Sequence, residues 1–113
     1  MKLLSIACLA VLLGVSSANE QMQINYYTDS GCSDYLGDVD VTWATYVDDS
    51  GAHGSNCYNY NYGNSVSIAN CYEDFCQCIF YPQANCQGDE YSLDSGSCLT
   101  DASAFYSFAC YYS

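Results

Sequence analysis

From residue 22 onward the apolar positions of this chain recur every second residue, in short stretches broken by turn formers. Met22, Ile24 and Tyr26 alternate with Gln23 and Asn25. Val39, Val41 and Trp43 alternate with Asp40 and Thr42, and Tyr58, Tyr60 and Tyr62 with Asn59 and Asn61. The same period holds at Val66 and Ile68, at Cys76, Cys78 and Phe80, and at Phe108, Cys110 and Tyr112. A period of two puts successive side chains on opposite faces of a strand, so each stretch predicts a strand with one face towards a core. Asp29-Ser30-Gly31, Asp48-Asp49-Ser50-Gly51, Gln87-Gly88-Asp89 and Asp94-Ser95-Gly96 predict turns between them. Pro82, the single proline, marks the end of the run before it, because proline has no N–H to give a sheet. No stripe of helical period breaks the pattern. It predicts an all-β domain, a sandwich or small barrel of many short strands.

Residues 1–18 have a different character. Lys2 precedes an apolar run from Leu3 to Val15, and Ser16 and Ala18 are small. That is the layout of a secretory signal peptide cleaved after Ala18, too short for the roughly 20 apolar residues a membrane span takes. Residues 19–113 are then expected to form one exported domain, extracellular, with no membrane insertion. Of nine cysteines, Cys8 lies in the leader, leaving Cys32, Cys57, Cys71, Cys76, Cys78, Cys86, Cys98 and Cys110. An even number in a short exported chain predicts disulfides, here four, each stabilising by roughly 2–4 kcal/mol. On the order of a hundred pairings are open, and spacing selects none. With no CxxC pair and one histidine, the cysteines are not read as metal ligands, and neither metal nor cofactor is expected.

Charge narrows the partners. Lys2 is the only lysine or arginine, against thirteen carboxylates. Nucleic acids and anionic membranes are recognised by lysine and arginine, so both are excluded as partners. Trypsin-like proteases find no side chain to cut after in residues 19–113.

The chain also resembles itself. Gln23-Ile24-Asn25-Tyr26-Tyr27 is similar to Gln77-Cys78-Ile79-Phe80-Tyr81, and Cys32 and Cys86 each follow the last tyrosine by the same interval. Gly37 and Gly88 follow those cysteines, Cys57 and Cys98 come later, and each half closes on an alternating strand that ends in Cys71 or Cys110. Two copies of one four-stranded unit, 22–71 and 76–113, are the expectation.

Ile79-Phe80-Tyr81, Gly88, Tyr91, Leu93, Gly96 and Ser107 together resemble the Greek-key motif of βγ-crystallins. The first half matches through Tyr26, Tyr27, Gly37 and Ser65 or Ser67, with an insertion between Gly37 and Cys57. The resemblance implies a sandwich of two Greek-key units. In it Gly88 takes a positive φ, Tyr81 packs over a folded hairpin and Ser107 hydrogen-bonds into that hairpin. Tyr26-Tyr27-Thr28-Asp29-Ser30-Gly31-Cys32 and Phe80-Tyr81-Pro82-Gln83-Ala84-Asn85-Cys86 resemble small cysteine-rich secreted proteins of filamentous fungi. Those include candidate effectors of plant pathogens and crystallin-like killer toxins. The resemblance implies a secreted virulence or host-interaction factor that binds an extracellular host protein or a cell-wall polysaccharide, in the host apoplast for a plant pathogen. Its alternative is an antimicrobial acting on competing microbes.

No catalytic residue is expected. His53 stands in Gly51-Ala52-His53-Gly54-Ser55, a poor mount for a general base that needs an orienting carboxylate and a nucleophile. The pairs Asp38 with Asp40, Asp48-Asp49, Glu73-Asp74 and Asp89-Glu90 read as solvated turn and edge residues, and so small a stapled domain leaves little room for a cleft. They also lack the calcium pattern of the crystallin-like family. Their crowding predicts raised carboxylate pKa values and stability that grows as pH falls. The candidate binding surface is Tyr58, Tyr60 and Tyr62, which share one face of a strand. Buried, they form a core; exposed, they form an aromatic ladder for sugars or a protein.

Overall fold

The computed structural model describes residues 20–113, and the signal-peptide expectation for 1–18 lies outside them. The strands in chain order are β1 (Met22–Tyr27), β2 (Tyr35–Val41), β3 (Thr45–Asp48), β4 (Gly51–Ala52) and β5 (Tyr58–Asn59). After these come β6 (Ser65–Cys71), β7 (Cys76–Tyr81), β8 (Tyr91–Asp94), β9 (Cys98–Thr100) and β10 (Ser107–Tyr112), with a 3-10 turn at Ala102–Ala104. They form two sheets. One runs β2-β1-β6-β9; the other runs β4-β3-β10-β7-β8, with β5 also paired to β10.

The period-two pattern sets the core. β1 alternates buried and half-buried residues along its length, turning Met22, Ile24 and Tyr26 inward. β7 turns Cys76, Cys78 and Phe80 inward from the other sheet, and Val66, Ile68, Leu93, Phe105, Phe108 and Cys110 fill the space between. Full burial of an aliphatic or aromatic side chain of this size is worth roughly 1.5–3 kcal/mol. Two rings anchor the centre: Phe80 and Phe108 stack with centroids 4.8 Å apart. β7 ends at Tyr81, and Pro82 follows.

The halves exchange strands. β9, from the second half, pairs antiparallel with β6 of the first at Ser65↔Thr100 to Ser67↔Cys98. β5, from the first half, pairs antiparallel with β10 of the second at Phe108↔Tyr58. The insertion between Gly37 and Cys57 supplies β3 and β4, a hairpin whose β3 lies parallel to the end of β10.

Matching turns follow β1 and β7. In the first, buried Ser65 accepts the Cys32 N–H on Oγ at 3.0 Å and donates to the Asp29 carbonyl at 2.7 Å. In the second, buried Ser107 accepts the Cys86 N–H at 2.8 Å and donates to the Gln83 carbonyl at 2.5 Å. Ser65, not Ser67, therefore corresponds to Ser107. Gly88 has φ 97°, as the crystallin resemblance implies. Gly37 does not match it: it lies within β2, opposite Tyr26, outside the positive-φ region. The left-handed position common to both turns is the cysteine, Cys32 at φ 58° and Cys86 at φ 57°.

Four disulfides close the molecule: Cys32–Cys98, Cys57–Cys86, Cys71–Cys76 and Cys78–Cys110. The first two are counterparts, each tying the left-handed cysteine of one half's turn to a cysteine at the start of the other half's exchanged strand, Cys98 opening β9 and Cys57 immediately preceding β5. The last two are not. Cys71–Cys76 closes the link between halves, whereas Cys78 and Cys110 face each other on neighbouring strands. Multiple disulfides in so small a chain are typical of extracellular proteins.

Ser65→Ala and Ser107→Ala should each cost about 1–3 kcal/mol, because each strands a backbone N–H beneath a turn. The sites share no partner, so the double variant should lose about the sum. Denaturant unfolding checks both, and a neutral result at either site would contradict the role given to that serine.

Candidate functional site

The predicted tyrosines lie in an extended segment, 56–64, that is pinned by its asparagines. Asn56 donates to Thr45 Oγ1 and to the Cys110 carbonyl, and accepts the Cys110 N–H. Asn59 exchanges hydrogen bonds with Asn85, and Asn61 donates to the carbonyls of Ser103 and Phe105. Asn64 donates through Nδ2 to the Thr28 carbonyl and through its N–H to Tyr27. The asparagine face of the alternation is therefore fastened to neighbouring loops. Gly63 lets the segment close: its φ is 65°, and a Cβ there would sit 2.9 Å from the Tyr27 carbonyl oxygen. Strand pairing covers only Tyr58 and Asn59, with one further backbone bond from the Tyr60 N–H to the Tyr106 carbonyl just before β10. The five-residue strand predicted from the alternation is thus shorter in the molecule.

The tyrosine face forms the ladder. Trp43 stacks on Tyr58 with centroids 5.0 Å apart and planes 12° from parallel. Tyr58 meets Tyr60 at 5.7 Å, and Tyr60 meets Tyr62 at 5.6 Å. Tyr26 packs edge-on beneath Tyr60 and Tyr62, and Phe108 beneath Tyr58. The ladder is neither wholly core nor wholly surface: Tyr58 and Tyr60 are half-buried and Tyr62 is 38% exposed. Burial pushes the Tyr26 phenol far above its usual range, and burial next to Tyr62 and Tyr58 raises that of Tyr60. The Tyr26 and Tyr60 hydroxyls are thus neutral donors and acceptors at physiological pH. At the open end, Tyr62 lies against Gly37, beside exposed Tyr35 and Leu36 of β2. Tyr35 donates to Asp38 at 2.6 Å, which raises its own pKa.

His53 has more company than its glycine-flanked position suggests. The β3–β4 turn brings Asp48 Oδ2 to 3.0 Å from His53 Nε2 and Ser50 Oγ to 3.4 Å from the same nitrogen. Both contacts fall on Nε2. A proton relay needs the carboxylate on one ring nitrogen and the hydroxyl on the other, so this trio lacks the arrangement of a nucleophilic triad. Ser50 also donates to Asp48 at 2.7 Å. The Asp-x-Ser turn before the histidine is the sequence signal for this cluster.

The expectation of little room for a cleft is corrected by two surface clefts that flank Phe75, of about 370 and 280 Å³. Phe75 is 48% exposed, and Tyr72, in the same short link, is 53% exposed. The link is a covalent ring closed by Cys71–Cys76, and Phe75 exchanges two backbone hydrogen bonds with Ser113, both 3.1 Å. Nothing in the alternating pattern marked this site; a lone phenylalanine in a link gives no periodic signal. Among the described residues, no three His, Cys, Asp or Glu side chains cluster as metal ligands, and no helix is long and apolar enough to cross a membrane.

The acids do not shift together as their crowding predicted. Glu20 is raised, by desolvation first and then by Asp40. Asp29 is lowered, because the N–H groups of Asp34, Ser33 and Gly31 point at its carboxylate. Asp48 is lowered to about 2 by Ser50 and His53. Local hydrogen bonding therefore overrides mutual repulsion at these turns.

No protein family, curated protein or solved structure matches this chain.

A lowered folded pKa means that the folded state releases its proton more readily than the unfolded chain. The stability from Asp29 and Asp48 is therefore complete above about pH 4 and is lost as pH falls towards 2. Glu20, being raised, acts in the opposite sense at higher pH. Melting temperature should fall between pH 4 and 2, and the gap between wild type and Asp29→Asn should narrow over that interval. Parallel curves would contradict the role given to Asp29.

Proposed function

We propose that this chain is a secreted, effector-like binding protein of fungal type, which meets an extracellular host protein or a cell-wall polysaccharide through the outer edge of its tyrosine ladder. The observation that carries this is the continuous run Trp43–Tyr58–Tyr60–Tyr62, rigidly backed by Tyr26 and Phe108 and open to solvent at Tyr62, Tyr35 and Leu36. Rigid aromatic rings with a hydroxyl at the edge make contact area at little entropic cost and hydrogen-bond at the rim, which suits a sugar or a protein surface. Four disulfides, and the lack of any lysine or arginine beyond Lys2, fit a protein that persists among extracellular proteases. No catalytic step is assigned to it.

In this reading the sandwich is a pair of βγ-crystallin-like Greek-key units, residues 22–71 and 76–113. The exchanged strands β9 and β5 and the equivalent serines Ser65 and Ser107 support that. The same likeness supports a second reading, a killer-toxin-like antimicrobial. The absence of basic side chains weighs against it, since attack on anionic microbial surfaces draws on them.

Co-sedimentation with insoluble chitin, cellulose and β-glucan, beside binding to fractionated apoplastic protein, tests the primary reading. Wild type should bind at least one of these, and Tyr62→Ala and Tyr35→Ala should each weaken binding by about 3- to 30-fold. Both residues are exposed enough to leave the fold intact, which circular dichroism checks. Equal binding by both variants would move the contact away from the ladder. Growth inhibition of yeast or bacteria without any plant response would favour the antimicrobial reading.

A further inference from the structure

The clefts beside Phe75 are separate from the tyrosine ladder. The larger lies between the β3–β4 hairpin and the ends of β7 and β10, with apolar walls from Val47, Phe75 and Tyr111. The smaller lies on the other side of the same ring, bounded by the Cys71–Cys76 loop and by the turn after β8. Phe75 is thus a partition between two hollows, both at or near the small end of the range for ligand sites. It is held there from both directions, by the disulfide at its neighbour Cys76 and by the backbone pair with Ser113. Half-exposed aromatics are costly to leave in water, and here the ring is presented in a fixed position.

The rims carry one sign of charge. Asp48 and Asp49 border the larger cleft, and Glu73, Asp74 and Asp94 the smaller. Asp48 is occupied with Ser50 and His53, and Asp94 accepts from Gln77, but among the described residues no contact of Asp49, Glu73 or Asp74 offsets its charge. Apolar hollows rimmed by carboxylates complement a side chain that is flat, apolar over its faces and cationic at its edge. Guanidinium has that character: it stacks on aromatic rings and meets carboxylates with a planar fork, whereas ammonium is compact and strongly hydrated. Two hollows in succession fit two side chains of one extended strand.

We propose that the paired clefts on either side of Phe75 bind an arginine-bearing segment of a partner protein, with guanidinium stacked on the Phe75 ring and paired to the carboxylates of the rims.

The test uses the full disulfide-bonded domain and a labelled Arg-Gly repeat peptide, with Lys-Gly and Glu-Gly repeats beside it, read by fluorescence anisotropy. The Arg-Gly peptide should bind, less tightly as salt rises, the Lys-Gly peptide about tenfold more weakly, and the Glu-Gly peptide not at all. Phe75→Ser should cost about tenfold, and Phe75→Leu, which keeps apolar bulk and guards against loss of fold, nearly as much. The variant Asp49→Asn/Glu73→Asn should weaken binding. The variant Asp38→Asn/Asp40→Asn, an equal change of charge on β2 of the other sheet, should leave it unchanged. If the two double variants lose equally, the attraction is that of the whole acidic protein and the proposal fails. It fails too if both Phe75 variants bind like wild type, if lysine serves as well as arginine, or if nothing binds. Tyr62→Ala should bind the arginine peptide normally, so failure here and failure of the ladder reading are distinguishable.

Discussion

Apart from His53, no side chain in residues 20–113 can carry positive charge, and the rest of the structure is arranged around that constraint. Carboxylates and turn carbonyls that other proteins satisfy with lysine or arginine are met here by neutral donors. Asp29 is capped by backbone N–H groups, the two equivalent turns are closed by Ser65 and Ser107, and the segment 56–64 is fastened by asparagine amides. Each of the serine and asparagine bonds is worth about 0.5–1.5 kcal/mol net, no more than a good surface ion pair, but it is directional and little affected by salt. Among the described residues no buried side-chain nitrogen or oxygen lacks a partner. Order at long range is thus set by amide geometry and by sulfur rather than by charge.

What the sequence disclosed follows from burial. β1 and β7 turn one face into the core, and their alternation is plain in the chain; β6 and β10 also carry buried residues at consecutive positions, yet their apolar residues still recur every second position. β3, β4, β8 and β9 are two to four residues long and mostly exposed, so no periodic contrast marks them. The disulfide pairing was closed to inspection for another reason: Cys32–Cys98 and Cys57–Cys86 depend on strands crossing between halves, which spacing within a half does not register. At the candidate site the tyrosine face was legible, but its half-burial was not, because Trp43, Tyr26 and Phe108 reach it from three other segments. Phe75 was not legible at all; only its placement between two cysteines distinguishes it.

The exchange of β5 and β9 also makes each half incomplete. Without β9 the edge of β6 away from β1 would be unpaired, and without β5 the start of β10 would lose its partner on the side away from β7. Neither half can bury its apolar face alone, so the domain is expected to fold as one cooperative unit, dominated by contacts far apart in sequence and correspondingly slow. The tyrosine ladder runs along this seam, touching Tyr26 of one sheet and Phe108 of the other. A surface built there is ordered only once both halves are.

The ring closed by Cys71 and Cys76 has one more consequence. Tyr72 and Phe75 stand exposed within it, open to proteases that cut after aromatic residues. A cut at either bond would divide the backbone yet release nothing, because Cys71–Cys76, Cys32–Cys98 and Cys57–Cys86 all span the break. The product would be a two-chain molecule, joined at three points and still sharing its strands, with new ends placed at the clefts. A nick in this exposed loop would therefore leave both pieces held in one molecule.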